Sequence, residues 1–210
     1  MKKPITKEKL YWWGHALVHP FDGLYEIRFR DQGSLLLAFI LMIAFGVMRC
    51  LSAQYTGFVM NLTNQDELDT LSLFISNISV LLLFSLSNWT VTTLFNGKGK
   101  LSDIYIVICY SLTVLILGDA LVCFVSNFVT TEEIMILQAV QMLCIVWFAF
   151  LLVAGLGTIH EYGLGGNLAS IVMSAAAAAI ILFIGVLLFT MLERMFSFFT
   201  SVGQELMRRL

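Results

Sequence analysis

The chain has 210 residues, of which 59% are hydrophobic and only 12% are charged. Soluble domains carry about 25% charged residues, so this composition is typical of an integral membrane protein and excludes an ordinary soluble domain. The twelve Lys and Arg residues are scattered and mostly flank apolar runs. That distribution argues against a nucleic-acid partner.

Residues 1–33 are predicted to lie outside the membrane core as one or two interfacial helices. Their aromatic residues, such as Trp12 and Trp13, stand near basic ones such as Lys9, and this mixture suits the headgroup layer. No signal peptide is expected, because the first long apolar run begins only near Ser34.

His15 and His19 stand one helical turn apart in this segment. Two histidines on one helix face could bind a metal, but no third ligand is close in sequence, so we favour an interfacial histidine pair. No cofactor motif and no pairing of a nucleophile with a base is recognised elsewhere. We therefore predict neither a metal nor a cofactor, and we do not expect an enzyme.

Five apolar runs are each long enough to cross a membrane, which takes about 20 residues. They lie at about 34–53, 71–95, 104–128, 134–158 and 168–192. The sequence therefore predicts an all-α, polytopic membrane protein whose five-helix transmembrane domain covers residues 34–192.

The end of the chain, residues 193–210, is predicted to form a short amphipathic tail helix on the membrane surface. Its apolar residues recur at roughly helical spacing: Met195, Phe196, Phe199, Val202 and Leu206. The span before it carries small residues four apart: Ser170, Ser174 and Ala178. Such a face lets helices approach closely, and its partner is either within the chain or a second copy.

The distribution of Lys and Arg predicts a cytoplasmic N-terminus. Residues 1–33 carry six of them and the turn at 96–100 carries two, whereas the acidic loops at 54–70 and 129–133 carry none. We therefore expect a multi-pass protein of the plasma membrane, with both acidic loops outside.

Depth arithmetic at about 1.5 Å per residue brings polar residues of neighbouring spans to one level. Counted from the basic turn, Asn88 is level with Tyr110 and Ser111. We predict a helix-packing site of hydrogen bonds among these three side chains, each worth about 0.6–2 kcal/mol.

A second polar layer is predicted about 23 Å from the cytoplasmic end. Arg49 and Asp119 reach this depth on two outward-running spans, and Gln141 and Asn77 come close to it. Because a lone charge there would be costly, we expect Arg49 to be the counter-ion of Asp119. The pair is either structural or a site for a proton, an ion or a polar headgroup. A third interpretation has Arg49 reaching the outer headgroups beside a protonated Asp119.

Two short motifs resemble the Yip domain family of Ypt-interacting proteins. Residues 22–25, Asp-Gly-Leu-Tyr, are similar to the family's Asp-Leu-Tyr-Gly-Pro stretch before the first span. Residues 110–112, Tyr-Ser-Leu, are similar to its Gly-Tyr-Ser-Leu-Val/Ile-Pro stretch in the third span, with Cys109 and Val114 in place of Gly and Pro.

Span count and loop lengths extend the resemblance over about residues 20–192, and the opening at 19–26 looks like the bacterial branch. The resemblance implies a five-span fold with a cytoplasmic N-terminus and a helper role. Eukaryotic members bind prenylated Rab-type GTPases in vesicle trafficking.

We therefore expect an integral membrane adaptor or scaffold that binds other membrane proteins or lipids, for example as the accessory of a transporter, with a homo-oligomer as one form of assembly. The alternative is a small transporter or channel that uses the Arg49–Asp119 layer. The absence of proline from the spans and of an evident inverted repeat weighs against that alternative.

Overall fold

The computed structural model describes residues 6–61 and 64–209, and within those ranges it consists of helices and the connections between them. The helices are α1 (Lys7–Val18), α2 (Pro20–Phe29), α3 (Leu35–Tyr55), α4 (Thr70–Leu94), α5 (Leu101–Val125), α6 (Ile134–His160) and α7 (Leu164–Arg209), with a 3-10 turn at Gln65–Glu67. The last five α-helices contain segments long and apolar enough to cross a membrane. The predicted all-α fold with five spans is confirmed.

Local signals set several helix ends. The side chains of Ser34 and Asp69 accept hydrogen bonds from backbone N–H groups in the first turns of α3 and α4, which satisfies donors that a helix start leaves unpaired. After α4 and α6 the chain passes through Asn96 and Glu161, whose φ values of 58° and 57° lie in the left-handed region. Such residues end a helix and reverse the chain.

Helix α5 lies at the centre of the bundle, with α3 packed along one side and α6 along another, while α4 packs against α3 and α7. The α5–α6 approach is close, because a Cβ added to Gly155 would lie 2.2 Å from Val107 Cγ1. We call the end formed by residues 95–100 and 161–163 the short-turn end, and the end formed by residues 56–61 and 126–133 the long-loop end.

The N-terminal helices lie against the bundle, alongside α5 and α6. Trp13 Nε1 donates to Thr113 Oγ1 at 3.0 Å, and Trp147 Nε1 donates to the Leu17 carbonyl at 3.0 Å. Thr113 and Trp147 stand about 18–20 Å along their helices from the short-turn end. Residues 1–5 fall outside the described part of the chain.

Helix α2 returns from that depth to the short-turn end. The Phe21 ring contacts the Phe150 ring at 6.1 Å between centroids, and Arg28 Nη1 donates to Asp103 Oδ2 at 2.8 Å near the start of α5. Helices α1 and α2 therefore form a hairpin that packs against α5 and α6. Two indole N–H groups favour this position, because Trp13 of α1 finds an acceptor on α5 and Trp147 of α6 finds one on α1.

The last helix also differs from its predicted extent. The expected break between a span ending at 192 and a separate tail over 193–210 is absent, because α7 continues to Arg209. Residues 193–209 are helical, but they prolong the span instead of forming a second helix. No proline lies in this region to interrupt the backbone hydrogen bonds.

The hairpin gives a matched pair of glycine substitutions. A Cβ added to Gly23 would lie 2.4 Å from Ala16 Cα. A Cβ added to Gly14 would have no neighbour within 4 Å. We expect Gly23→Ala to lower the free energy of unfolding by about 1–3 kcal/mol, because the clash involves backbone. Gly14→Ala should raise it by about 0.5–1 kcal/mol through helix propensity.

The free energy of unfolding of both variants, measured in the same detergent, tests whether α1 and α2 cross at Gly23 and Ala16. Equal effects of the two substitutions would show that α1 and α2 do not cross at this point.

Candidate functional site

An ion pair joins α3 to α5 in the half of the bundle nearer the long-loop end. Arg49 Nη1 lies 3.2 Å from Asp119 Oδ2. The Asp119 side chain is 7% exposed and the Arg49 side chain 39% exposed. The predicted pairing is thus present in the structure, and Asp119 is an ion-paired carboxylate that is almost fully removed from the surface. Burial of this kind is tolerated when the charge has a partner.

The pair borders a cavity of about 380 Å³. Helices α3, α4, α5 and α6 and the segment after α3 contribute its lining: Arg49, Ser52, Ala53, Thr56, Met60, Asn61, Leu68, Leu73, Val122 and Gln141. Gln141 therefore joins Arg49, as depth arithmetic predicts. Asn77 is not in this lining, and its Nδ2 donates to the Leu73 carbonyl one turn back on its own helix.

Sequence reasoning missed the polar wall of this cavity. Ser52 and Thr56 follow Arg49 along α3, and Thr56 Oγ1 donates to the Ser52 carbonyl at 2.6 Å. Ser52 follows Arg49 by three residues, and Thr56 follows Ser52 by four. This spacing puts side chains on one face of a helix, so it could have placed both residues beside Arg49. The contribution of Met60 and Asn61 has no comparable signal, because it depends on how the chain folds back after α3.

The helix-packing site predicted from Asn88, Tyr110 and Ser111 is wrong in its partners. Asn88 Nδ2 donates to Ser174 Oγ at 3.0 Å, and Asn88 Oδ1 lies 3.3 Å from His160 Nε2. Asn88 and Ser174 are fully buried, so this contact fixes α4 against α7. Levels along a helix follow from residue counts, but the direction in which Asn88 points does not.

Tyr110 and Ser111 have other partners. The Tyr110 hydroxyl accepts a hydrogen bond from the Ser34 backbone N–H at 3.0 Å, and Ser111 Oγ donates to the Val107 carbonyl at 2.9 Å within α5. Tyr110 therefore anchors the start of the first span to the central helix. The small-residue face around Ser174 has its partner within the chain, on α4.

The short-turn end is held by several contacts on one turn. Lys98 forms an ion pair with Glu161, the Tyr162 hydroxyl donates to the Phe95 carbonyl at 2.9 Å, and Arg28 Nη2 donates to the Lys98 carbonyl at 2.9 Å. A Cβ on Gly99 would lie 2.6 Å from His160 Cε1, so glycine allows the turn to rest on the imidazole ring. This end of the molecule is closely tied to α2 and α6.

The rings of His15 in α1 and His19 at its C-cap lie close together, with centroids 4.8 Å apart and planes tilted by 41°. Within residues 6–61 and 64–209, no group of three or more His, Cys, Asp or Glu side chains that could hold a metal ion is found. His19 is exposed and His15 is partly buried.

Residues 14–190 match the family described as Yip1, the Yip1 domain. This match covers most of the chain. The chain belongs to the Yip1 domain family. No curated protein and no solved structure matched it. The two stretches that resemble Yip motifs now have positions in the fold. Residues 22–25 lie in α2, and residues 110–112 lie in α5, where Tyr110 holds Ser34.

The ion pair of this Yip1 domain predicts a specific pattern of rescue. Arg49→Asp and Asp119→Arg should each lower the free energy of unfolding by about 1–3 kcal/mol. The first substitution brings two carboxylates together at this buried site, and the second brings two guanidinium groups together. The double exchange should recover at least half of that loss.

Unfolding of the four chains in one detergent provides the measurement. Lys98→Ala serves as the control, because its exposed pair with Glu161 is expected to contribute at most about 1 kcal/mol. If the double exchange lowers the free energy of unfolding by the sum of the two single losses, the pairing is contradicted.

Proposed function

We propose that this Yip1 domain protein is a non-enzymatic membrane adaptor that holds another membrane protein against helix α7. The observation that carries the proposal is the length and exposure of this helix. It has 46 residues, or about 69 Å at 1.5 Å per residue, whereas the hydrocarbon core is about 30 Å thick.

The partner of α7 within the chain ends well before α7 does. Asn88 meets Ser174, and α4 runs 18 residues from Asn88 back to Thr70. Because the two helices run in opposite directions, Thr70 is level with about Leu192. Residues 193–209 therefore extend about 25 Å past α4.

The extension carries a group of exposed apolar side chains. Exposed fractions are 49% for Met195, 73% for Phe196, 63% for Phe198 and 65% for Phe199. Most helical stability in proteins comes from packing of an apolar face rather than from intrinsic propensity. A partner that covers these side chains would supply that packing.

The spacing of apolar residues suits a helical partner. Leu188, Leu192, Met195 and Phe199 follow one another at intervals of four, three and four residues, the pattern of a seam between two helices. Beside this seam, an apolar groove of about 510 Å³ lies along the surface between α4 and α7. Gly185 and Phe189 are among the residues that line it on the α7 side. Both features support docking of a transmembrane helix along α7.

The proposed setting is the plasma membrane of a bacterium, with the N-terminus in the cytoplasm. The Lys and Arg residues concentrate in the first 33 residues and in the turn at 96–100, and such charge retains loops in the cytoplasm. The short-turn end then faces the cytoplasm, and the cavity and the extension of α7 lie toward the outside.

Photo-crosslinking tests the adaptor role. A photoreactive amino acid at Met195 or Phe199 should give an adduct with a second membrane protein or a second copy of the 23.5 kDa chain, because these side chains form the proposed contact. The same label at Phe58, which is 97% exposed on the loop after α3, is the control. Membranes that yield only monomer from Met195 and Phe199 would overturn the proposal.

A second candidate function, transport, is supported by the polar cavity beside Arg49 and Asp119. Transport through this cavity predicts that Asp119→Asn lowers ion or proton flux at least about tenfold in proteoliposomes, since the buried carboxylate that pairs with Arg49 loses its charge. Gln138→Leu, on the exposed side of α6, should leave flux unchanged. Flux that is equal in the wild type, Asp119→Asn and empty vesicles removes transport from consideration.

A further inference from the structure

The cavity beside the ion pair offers polar groups that the protein itself leaves available. Arg49 uses Nη1 to bind Asp119, and its side chain remains 39% exposed. A guanidinium carries five N–H donors, and no described residue accepts a hydrogen bond from Arg49 Nε or Nη2, so these groups are available to a ligand. Gln141 faces the same cavity from α6, and within the described part of the chain its amide has no hydrogen-bond partner.

The charge of the lining favours an anion. Arg49 is the one charged residue among the described residues that line the cavity, because Asp119 lies behind it and is almost fully buried. Thr56 already donates its hydroxyl hydrogen to the α3 backbone. What remains is one edge of a guanidinium and an amide, and the fork of a guanidinium matches two oxygens of a phosphate group.

The position of the cavity favours a phosphate that belongs to a lipid. Arg49 stands six residues before Tyr55, the last residue of α3, or about 9 Å below the helix end, a distance that an arginine side chain can largely cover. Leu73 of α4 and Gln141 of α6 line the cavity, yet these two helices do not pack along each other in the part of the chain that is described. The cavity is therefore accessible from the side, at the depth where headgroups meet acyl chains.

We infer that this cavity binds the phosphate group of an anionic phospholipid. Arg49 supplies the charge and two N–H groups, Gln141 supplies an amide N–H, and Asp119 acts as a positioning residue that fixes the opposite edge of the guanidinium. This site is separate from the α7 surface and does not depend on the adaptor role.

Lipid titration of the full chain in detergent tests the site. Phosphatidylglycerol should raise the midpoint of thermal unfolding and remain bound in native mass spectrometry, whereas phosphatidylcholine should do so at least about threefold more weakly, because its headgroup carries no net charge. Gln141→Leu should weaken phosphatidylglycerol binding about ten- to a hundredfold, the effect of one hydrogen bond to a charged group.

Gln138→Leu is the matched control, because Gln138 stands on the same helix three residues earlier and is not part of the cavity lining. It should bind phosphatidylglycerol as the wild type does. Arg49→Lys retains the charge but loses the fork, and it should bind at least about tenfold more weakly. This variant keeps a counter-ion for Asp119, so its fold can be checked by the unfolding midpoint without lipid.

Three results would overturn the inference. They are equal binding by the Gln141→Leu and Gln138→Leu chains, equal binding of the two lipids, and stabilisation by inorganic phosphate without any effect of phosphatidylglycerol. The last result would assign the cavity to a free anion instead. Lipid binding is measured without flux and without crosslinking, so its failure is distinct from failure of the transport or adaptor role.

Discussion

Polar side chains within a transmembrane bundle must find partners in the protein, because hydrocarbon offers none. This requirement joins helices that are distant in sequence. Arg49 and Asp119 link α3 to α5, Asn88 and Ser174 link α4 to α7, and Trp13 reaches α5 from the N-terminal hairpin. Apolar packing by itself would allow many rotations of each helix, and these contacts select one.

The two ends of the bundle differ in how firmly they are held. At the short-turn end, the turn at 95–100 is bound by α2 and by Tyr162 in the connection between α6 and α7, and the buried His160 lies under it. At the long-loop end, α4 and α6 separate and leave a polar cavity, and α7 continues beyond its neighbour. Surfaces suited to binding therefore lie together at the less constrained end.

The Yip1 domain assignment connects a motif to a structural role. The tyrosine of the Tyr-Ser-Leu stretch, Tyr110, binds the backbone N–H of Ser34, which precedes the first span. The Asp-Gly-Leu-Tyr stretch contains Gly23, which permits the crossing of α2 over α1 at Ala16. The first motif thus holds the start of the first span against the central helix, and the second holds α1 and α2 together.

The sequence by itself determined the fold class and the five spans, and it predicted the pairing of Arg49 with Asp119 that the structure contains. These follow from apolar run lengths and from residue counts along helices of fixed rise, and a buried charge has few acceptable partners. The tertiary structure decided what depends on helix rotation and on contacts between distant segments. It turned Asn88 toward Ser174 and His160 instead of Tyr110, placed α1 and α2 along the bundle, and extended α7 to Arg209. Residue counts give depth along a helix axis, whereas the facing direction of a side chain is set by packing across the whole bundle.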